Sequence, residues 1–192
     1  MNRLRLIAPA DSAVLAELQV RNRTYLSPWE PTRSEEFFTG AGQRADIDAA
    51  LERHDRGDAA PFVILDGDGA VVGRLTLSGI VRGPFQSCAM GYWVAQEHTG
   101  RGLATDAVAT ALTYAFTSLG LHRVQAETLL GNKPSQRVLQ RNGFQQFGLA
   151  PRYLKIAGTW QDHLMFQRLT DEAEFRPDSG RLTTHPSARR RL

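Results

Sequence analysis

The sequence has 192 residues and a single cysteine, Cys88, so it can build neither an internal disulfide nor a structural zinc cluster. A chain of this length buries a sizeable core without such staples, and one domain is the expected count. A lone thiol fits a reducing compartment, which points to the cytoplasm. Long apolar runs are missing as well. No segment approaches the roughly 20 apolar residues of a membrane span, and MNRLRLIAPADSAV lacks the apolar centre of a secretory signal, so secretion and membrane contact are not expected. Five histidines occur without metal-ligand spacing between any two, and no metal site is expected.

Charge of one sign is also scarce in the body of the chain. Lys and Arg number 23 against 20 Asp and Glu, a net +3. Four arginines (Arg181, Arg189, Arg190, Arg191) fall after residue 180 with no acid beside them, and subtracting them from +3 leaves −1 on residues 1–180. A nucleic-acid-binding face on the folded part is therefore not indicated. Residues 171–192 are polar, Pro/Arg-rich and aperiodic, and read as a loose basic tail after a domain over 1–170. Any contact with RNA is expected there.

What is present is periodic. LRLIA (4–8) alternates like a short strand, and Asp11 or Ser12 can cap a helix running to about Arg23. Tyr25 to Pro31 reads as an ordered loop, because two prolines fix φ and push the residues before them toward extended geometry. Ser34 to Arg56 reads as helix, interrupted near Gly40–Gly42. PFVILDGDG and AVVGRLTLSGIV then form two β-rich runs joined by Asp66-Gly67-Asp68-Gly69, a hairpin signal, and SCAMGYWVA (87–95) supplies a third strand. A helix follows to about Leu119, with Val108, Leu112, Ala115 and Phe116 at helical spacing. A strand over 122–130, a short helix from Lys133 to Asn142, and strands over 144–147 and 163–169 complete the pattern. The order predicts an α/β layered fold (α+β) in which a mostly antiparallel sheet takes one parallel step between flanking helices.

Two clusters suggest chemistry. In Thr99-Gly100-Arg101-Gly102-Leu103-Ala104-Thr105, glycines let the backbone turn and present successive N–H groups at a helix start, a cradle for a pyrophosphate. The segment is neither a nucleoside-triphosphate P-loop nor a complete dinucleotide fingerprint, and a plain tight turn is an equal reading of it alone. About thirty residues on, Asn132-Lys133-Pro134-Ser135 opens a helix, where Asn132 and Ser135 read first as a cap and a polar first turn.

Together these residues resemble the GNAT superfamily of N-acetyltransferases, in which the glycine turn holds a pyrophosphate and Asn-x-x-Ser followed by Gly143-Phe144 forms a second cofactor element. Tyr25-Leu26-x-Pro28-Trp29-Glu30-Pro31, Val81-Arg82-Gly83-x-Phe85-x-x-Cys88, Leu121-His122-Arg123-Val124 and Tyr153-Leu154-x-Ile156-x-Gly158-x-Trp160-x-Asp162-His163 narrow the resemblance to the RimJ type, the ribosomal-protein-alanine N-acetyltransferases. Glu97 departs from the motif, where many members carry Gln or Arg.

The resemblance implies a V-shaped splay in the sheet and acetyl transfer from acetyl-CoA to a primary amine by direct attack in a ternary complex, with no metal. Tyr92, Trp93 and Val94 would bind the pantetheine, a backbone N–H there would polarise the thioester carbonyl, Thr99 through Thr105 would hold the pyrophosphate, and Asn132 would contact the pantetheine arm. Glu127 matches a catalytic glutamate of alanine-directed relatives, and Ser135 matches a serine proposed as general acid in the RimL type. Arg152 stands at a further acid–base position of that type, and Leu139 replaces the tyrosine used by the RimI type. Trp29, Tyr92, Trp93 and Trp160 are read as core before peptide slot, while Glu30 and Asp162 are candidates for a cationic N-terminus. His122 and His163 read as structural, and Cys88 as a buried, inert thiol.

The partner implied is the N-terminus of a ribosomal protein, approached by a monomer or a homodimer. An α-amine of pKa about 7.7–8.0 is roughly a tenth neutral at pH 7, whereas a lysine at about 10.4 is neutral in less than one part in a thousand. The gap of about 2.5 units is about 3.4 kcal/mol of deprotonation, which favours the α-amine. The rival readings are an acetyltransferase for an aminoglycoside, a polyamine or another protein N-terminus, and a non-catalytic CoA-binding ribosome-assembly factor.

Overall fold

Apolar alternation in the middle of the chain becomes a β-meander, and the rest of the fold is built on it. The computed structural model describes residues 3–170; the expected tail over 171–192 lies outside them. In chain order the elements are β1 (Leu4–Leu6), α1 (Ser12–Arg21), α2 (Arg23–Leu26), α3 (Gly40–Asp55), β2 (Ala59–Leu65), β3 (Val71–Val81), β4 (Ser87–Val94), α4 (Leu103–Thr113), β5 (Arg123–Leu129), α5 (Lys133–Arg141), β6 (Gln145–Ile156) and β7 (Thr159–Leu169). They form one seven-stranded sheet of order β1-β2-β3-β4-β5-β7-β6. Every neighbouring pair is antiparallel except β4–β5, the expected parallel step.

Helices cover both faces. On one, Leu103, Ala107, Val108, Ala111 and Leu112 of α4 and Leu139 of α5 join Leu75, Leu77, Met90, Val124 and Phe166 of the sheet in the main core. Their i, i+4 spacing on α4 is the apolar stripe that drives the helix onto the sheet. On the other face a smaller cluster joins Ile7, Leu15 of α1, Ile47 of α3 and Val63, with Trp93 packed against it. The hairpin at Asp66 forms as expected, because its carboxylate accepts from the N–H groups of Asp68 (3.0 Å) and Ala70 (2.9 Å).

Three expectations change. Tyr25 and Leu26 are helical, because the N–H groups of Leu26 and Ser27 bond back to the Asn22 and Arg23 carbonyls and Ser27 stays in the right-handed helical region despite Pro28. The break before α3 falls at Thr39, whose hydroxyl accepts from Gly42 N–H at 3.0 Å, so Gly40–Gly42 start the helix and do not interrupt it. β6 runs far past Phe147 to Ile156; Pro151 fits because β6 is an edge strand with a bulge between Ala150 and Leu154.

Asp11 fastens the N-terminal strand to α1. Its carboxylate accepts from Arg5 Nη2 (2.8 Å) and Nη1 (3.1 Å) and from Ala8 N–H (2.7 Å). Burial alone would raise its pKa, but the Arg5 and Ala8 bonds outweigh that and hold it below the ordinary 3.8. The stabilisation is therefore fully present above that value and is lost as pH falls through the depressed one. Asp11→Asn is expected to lower the melting temperature at pH 7, with the deficit against wild type narrowing below about pH 3.8. An equal deficit at pH 7 and pH 3 would contradict this account.

Candidate active site

The sheet opens where its parallel step fails to continue. β4 and β5 pair only at Ser87–Arg123, Cys88–Val124 and Ala89–Gln125, although β4 runs on to Val94 and β5 to Leu129. Beyond those three pairs the strands diverge into a V, as the resemblance implied. β4 is meanwhile held tightly to β3, because a Cβ on Gly73 would run into the Trp93 carbonyl. Two clefts enter the V. One, of about 470 Å³, lies between β4 and the start of α4 and α5; the other, of about 410 Å³, is walled by β3, β5, the β6–β7 hairpin and α3. They share Leu26, Trp29, Tyr92, Trp93, Asn132 and Ser135, so they meet at the mouth of the V.

The first cleft fits a long anionic ligand. Thr99, Gly100, Gly102, Leu103, Ala104 and Thr105 line it, with Tyr92, Trp93 and Val94 from β4 and Asn132 from α5. Gly100 and Gly102 have φ of 75° and 79°, which makes glycine the residue that reaches this turn without strain. No atom lies within 4 Å of where a Cβ would stand on either, so the backbone there faces open space at the start of an eleven-residue helix. Arg137 and Arg141 of α5 also line the cleft and supply cations. The neighbouring acids are engaged elsewhere: Glu97 accepts from Arg21 at 3.1 Å, and Asp106 lies 3.6 Å from Arg3. The departure at Glu97 thus places no carboxylate against the cradle. Arg101 is exposed and is not among the lining residues. These groups suit acetyl-CoA.

At the junction, Asn132 is both cap and wall. Its Oδ1 accepts from Ser135 N–H at 3.2 Å, and Pro134 occupies the first turn, where its missing N–H is no loss. That bond leaves the Asn132 amide NH₂ as a donor. Ser135 Oγ lies 2.9 Å from Tyr92 Oη, and the Tyr92 hydroxyl also approaches the Ser135 carbonyl at 3.3 Å. Burial pushes Tyr92 up to about 12, only partly offset by Ser135, so the phenol is neutral and a donor at working pH.

The second cleft carries the acid–base groups. Glu127 of β5 lines it and is half-buried; burial raises its pKa, with its own backbone N–H and the Tyr153 hydroxyl acting the other way. Glu30 also lines it, and burial raises its pKa against the opposing influence of Arg33 and Arg74. Arg74 is tied to Asp46 by a short ion pair. His163 is buried, with Nδ1 3.0 Å from the Gln161 carbonyl.

The candidates divide accordingly. Tyr92, Trp93, Val94, Asn132, Ser135 and the glycine turn gather on one cleft, while Glu127 stands in the other. Of the aromatics read as core, Trp29 and Trp93 are cleft walls and Trp160 is 62% exposed at the hairpin. Asp162 accepts from Arg152 N–H at 2.8 Å and shapes the bulge. Cys88 is buried and its thiol is pushed up to about 12 by burial, which removes it as a nucleophile. Arg74 and Tyr153 were not singled out as site residues. The signal for Arg74 was a charge inside the apolar run VVGRLTL; Tyr153 lay within a resembling segment, and only the bulge shows its purpose.

Residues 3–145 match the acetyltransferase (GNAT) domain family, and the chain belongs to it. Its activity is that of an acetyl-CoA-dependent N-acetyltransferase. Among relatives, it is 36% identical over 163 residues, 84% of each chain, to the ribosomal protein uS5-alanine N-acetyltransferase of Escherichia coli. A solved ribosomal-protein-S5-alanine acetyltransferase from Vibrio fischeri superposes with a TM-score of 0.84 at 34% identity, covering 91% of this chain and 94% of that one. Mycobacterium smegmatis RimJ, solved in complex with CoA-disulfide, gives 0.83 at 34% identity over 86% and 80%. Among the described residues, no group of three or more His, Cys, Asp or Glu could hold a metal ion, and no helix is long and apolar enough to cross a membrane.

Proposed function

We propose that this chain acetylates the N-terminal α-amine of a ribosomal protein that begins with alanine, by direct attack within a ternary complex. The observation that carries the reading is the pair of clefts meeting at Tyr92, Trp93, Asn132 and Ser135, one lined for an anionic cofactor and the other for an amine. The relative named for the alanine of uS5 supports the acceptor. The catalytic unit is assigned to residues 1–170.

Acetyl-CoA, when bound, supplies the acetyl group and leaves as a thiol. Thr99 through Thr105 hold its pyrophosphate, with the Arg101 contribution coming from the backbone of the turn. Tyr92, Trp93 and Val94 flank the pantetheine, Asn132 donates to it, and a β4 amide at Val94 polarises the carbonyl under attack. Glu127 takes the proton from the acceptor amine on the opposite side. Ser135 and Tyr92, joined at the meeting of the two clefts, would stand beside the departing sulfur. With Tyr92 near 12 and a thiol near 8.5, outright proton donation from the phenol is uphill by about 3.5 units. The pair therefore stabilises the sulfur by hydrogen bonding; of the two protons an α-ammonium loses on becoming an amide, Glu127 takes the one that frees the lone pair and the other completes the thiol.

The test is a panel of short peptides beginning with Ala, Ser or Met, with acetyl-CoA and a thiol-release readout. Alanine peptides are expected to react fastest, and the same peptides with a blocked α-amine and a free internal lysine to be nearly inert. No release with any amine, alongside normal cofactor binding, would end the enzymatic reading.

A further inference from the structure

We propose that Tyr153 is a positioning residue for the acceptor-side base: the β6 bulge carries its hydroxyl onto the Glu127 carboxylate, orienting one carboxylate oxygen and leaving the other for the amine. This rests on the assignment of Glu127 as that base.

Strand register sets the geometry. β5 and β7 pair Glu127 with Met165 and Leu129 with His163, so Glu127 and His163 share a sheet face. β6 pairs Ala150 with His163 and Leu154 with Gln161, so Pro151, Arg152 and Tyr153 stand opposite the single residue Asp162, a surplus of two. A regular β6 would carry one residue here. The surplus loops out, and the Tyr153 ring settles edge-on to the His163 ring, with centroids 5.6 Å apart and planes at 63°. The ring on His163 brings the hydroxyl to the side of the sheet that carries Glu127, and the two groups act on each other, the Glu127 carboxyl being lowered by Tyr153 and the phenol raised by Glu127.

The bulge is held against its own preference. Arg152 has φ of 49°, left-handed backbone that a residue with a side chain adopts only when its surroundings impose it. Asp162 imposes it by accepting the Arg152 N–H at 2.8 Å. His163, the shelf beneath the ring, is buried and fixed through Nδ1 to the Gln161 carbonyl. Strain, cap and shelf thus converge on one hydroxyl and one carboxylate. Tyr153 does not line the cleft that Glu127 lines, so it acts through Glu127 and not on the acceptor. The other titratable or charged groups around that cleft are Glu30, Arg33, Asp46, Arg53, Arg74 and Tyr92.

The experiment is a double-mutant cycle on the full chain, measuring kcat, KM for both substrates and the pH profile of kcat for wild type, Tyr153→Phe, Glu127→Gln and the double variant. Phenylalanine keeps the ring on His163, so the fold should hold. Tyr153→Phe is expected to lower kcat about tenfold, as befits a lost hydrogen bond to a charged group, to leave KM for acetyl-CoA unchanged, and to move the acid limb to higher pH. In the Glu127→Gln background it should change nothing further. Arg152→Gly gives an independent check, since it relieves the strain and frees the bulge: melting temperature should rise while kcat falls, again only when Glu127 is present. Equal loss from Tyr153→Phe in both backgrounds, or an unmoved acid limb, overturns the positioning role while leaving Glu127 as base. A normal kcat and acid limb in Glu127→Gln alone overturns the base assignment and this inference with it.

Discussion

Glu127→Gln is expected to lower kcat by about 10²–10⁴-fold, the usual contribution of a positioned general base, while leaving the dissociation constant of acetyl-CoA unchanged. The separation follows from the two clefts, because Glu127 lines the acceptor side and is absent from the cofactor side. The pH dependence gives a second check. A base works when deprotonated, so burial, which raises the Glu127 pKa above the ordinary 4.5, moves the acid limb of kcat upward from the usual carboxylate range. Glutamine keeps the shape and cannot titrate, so that limb should vanish in the variant. A limb unchanged by the substitution would remove Glu127 from proton transfer, and a weakened acetyl-CoA affinity would show that the clefts are not independent.

Gly102→Val is expected to weaken acetyl-CoA binding by tenfold or more without unfolding the chain. At φ of 79° a β-branched residue is strained, by about 1–3 kcal/mol, and relief comes by relaxing the turn so that its N–H groups no longer converge. The added methyls enter the open space of the cleft and not the core, since nothing stands within 4 Å of the position a Cβ would take. Titration calorimetry with acetyl-CoA, alongside thermal melting, separates the two effects. Retained affinity in a folded variant would reject the pyrophosphate cradle.

The elements that the sequence made legible are those in which one local force decides. The Asp66 turn, the α4 stripe and the Asn132 cap each follow from a few adjacent residues, and each forms as read. The cofactor cleft was legible for the same reason, being built from one contiguous turn and one helix start. The acceptor cleft was not. Its wall draws Glu30, Arg74, Glu127 and His163 from a loop and three strands, and no spacing rule links them. β6 escaped because an exposed edge strand carries little apolar alternation, and Pro151 reads as a breaker until its place in a bulge is known. The segment from Tyr153 to His163 that resembles the RimJ type runs from the bulge of β6 into β7. Only the folded register shows it as a support that sets Tyr153 on His163 and ties Arg152 to Asp162.

The early end of the β4–β5 pairing has a consequence for how the protein meets other chains. From Met90 to Val94, β4 has β3 on one side and no β5 partner on the other, so a sheet with seven strands carries a vacant half-ladder at its centre and not at its rim. An open half-ladder at a rim invites any extended polypeptide and is a standing aggregation hazard. Placed between two helix-covered faces, the same row of amides and carbonyls admits a slender extended molecule and refuses another sheet. This unpaired row, unlike the rims at β1 and β6, lies where a neighbour's edge strand does not reach it.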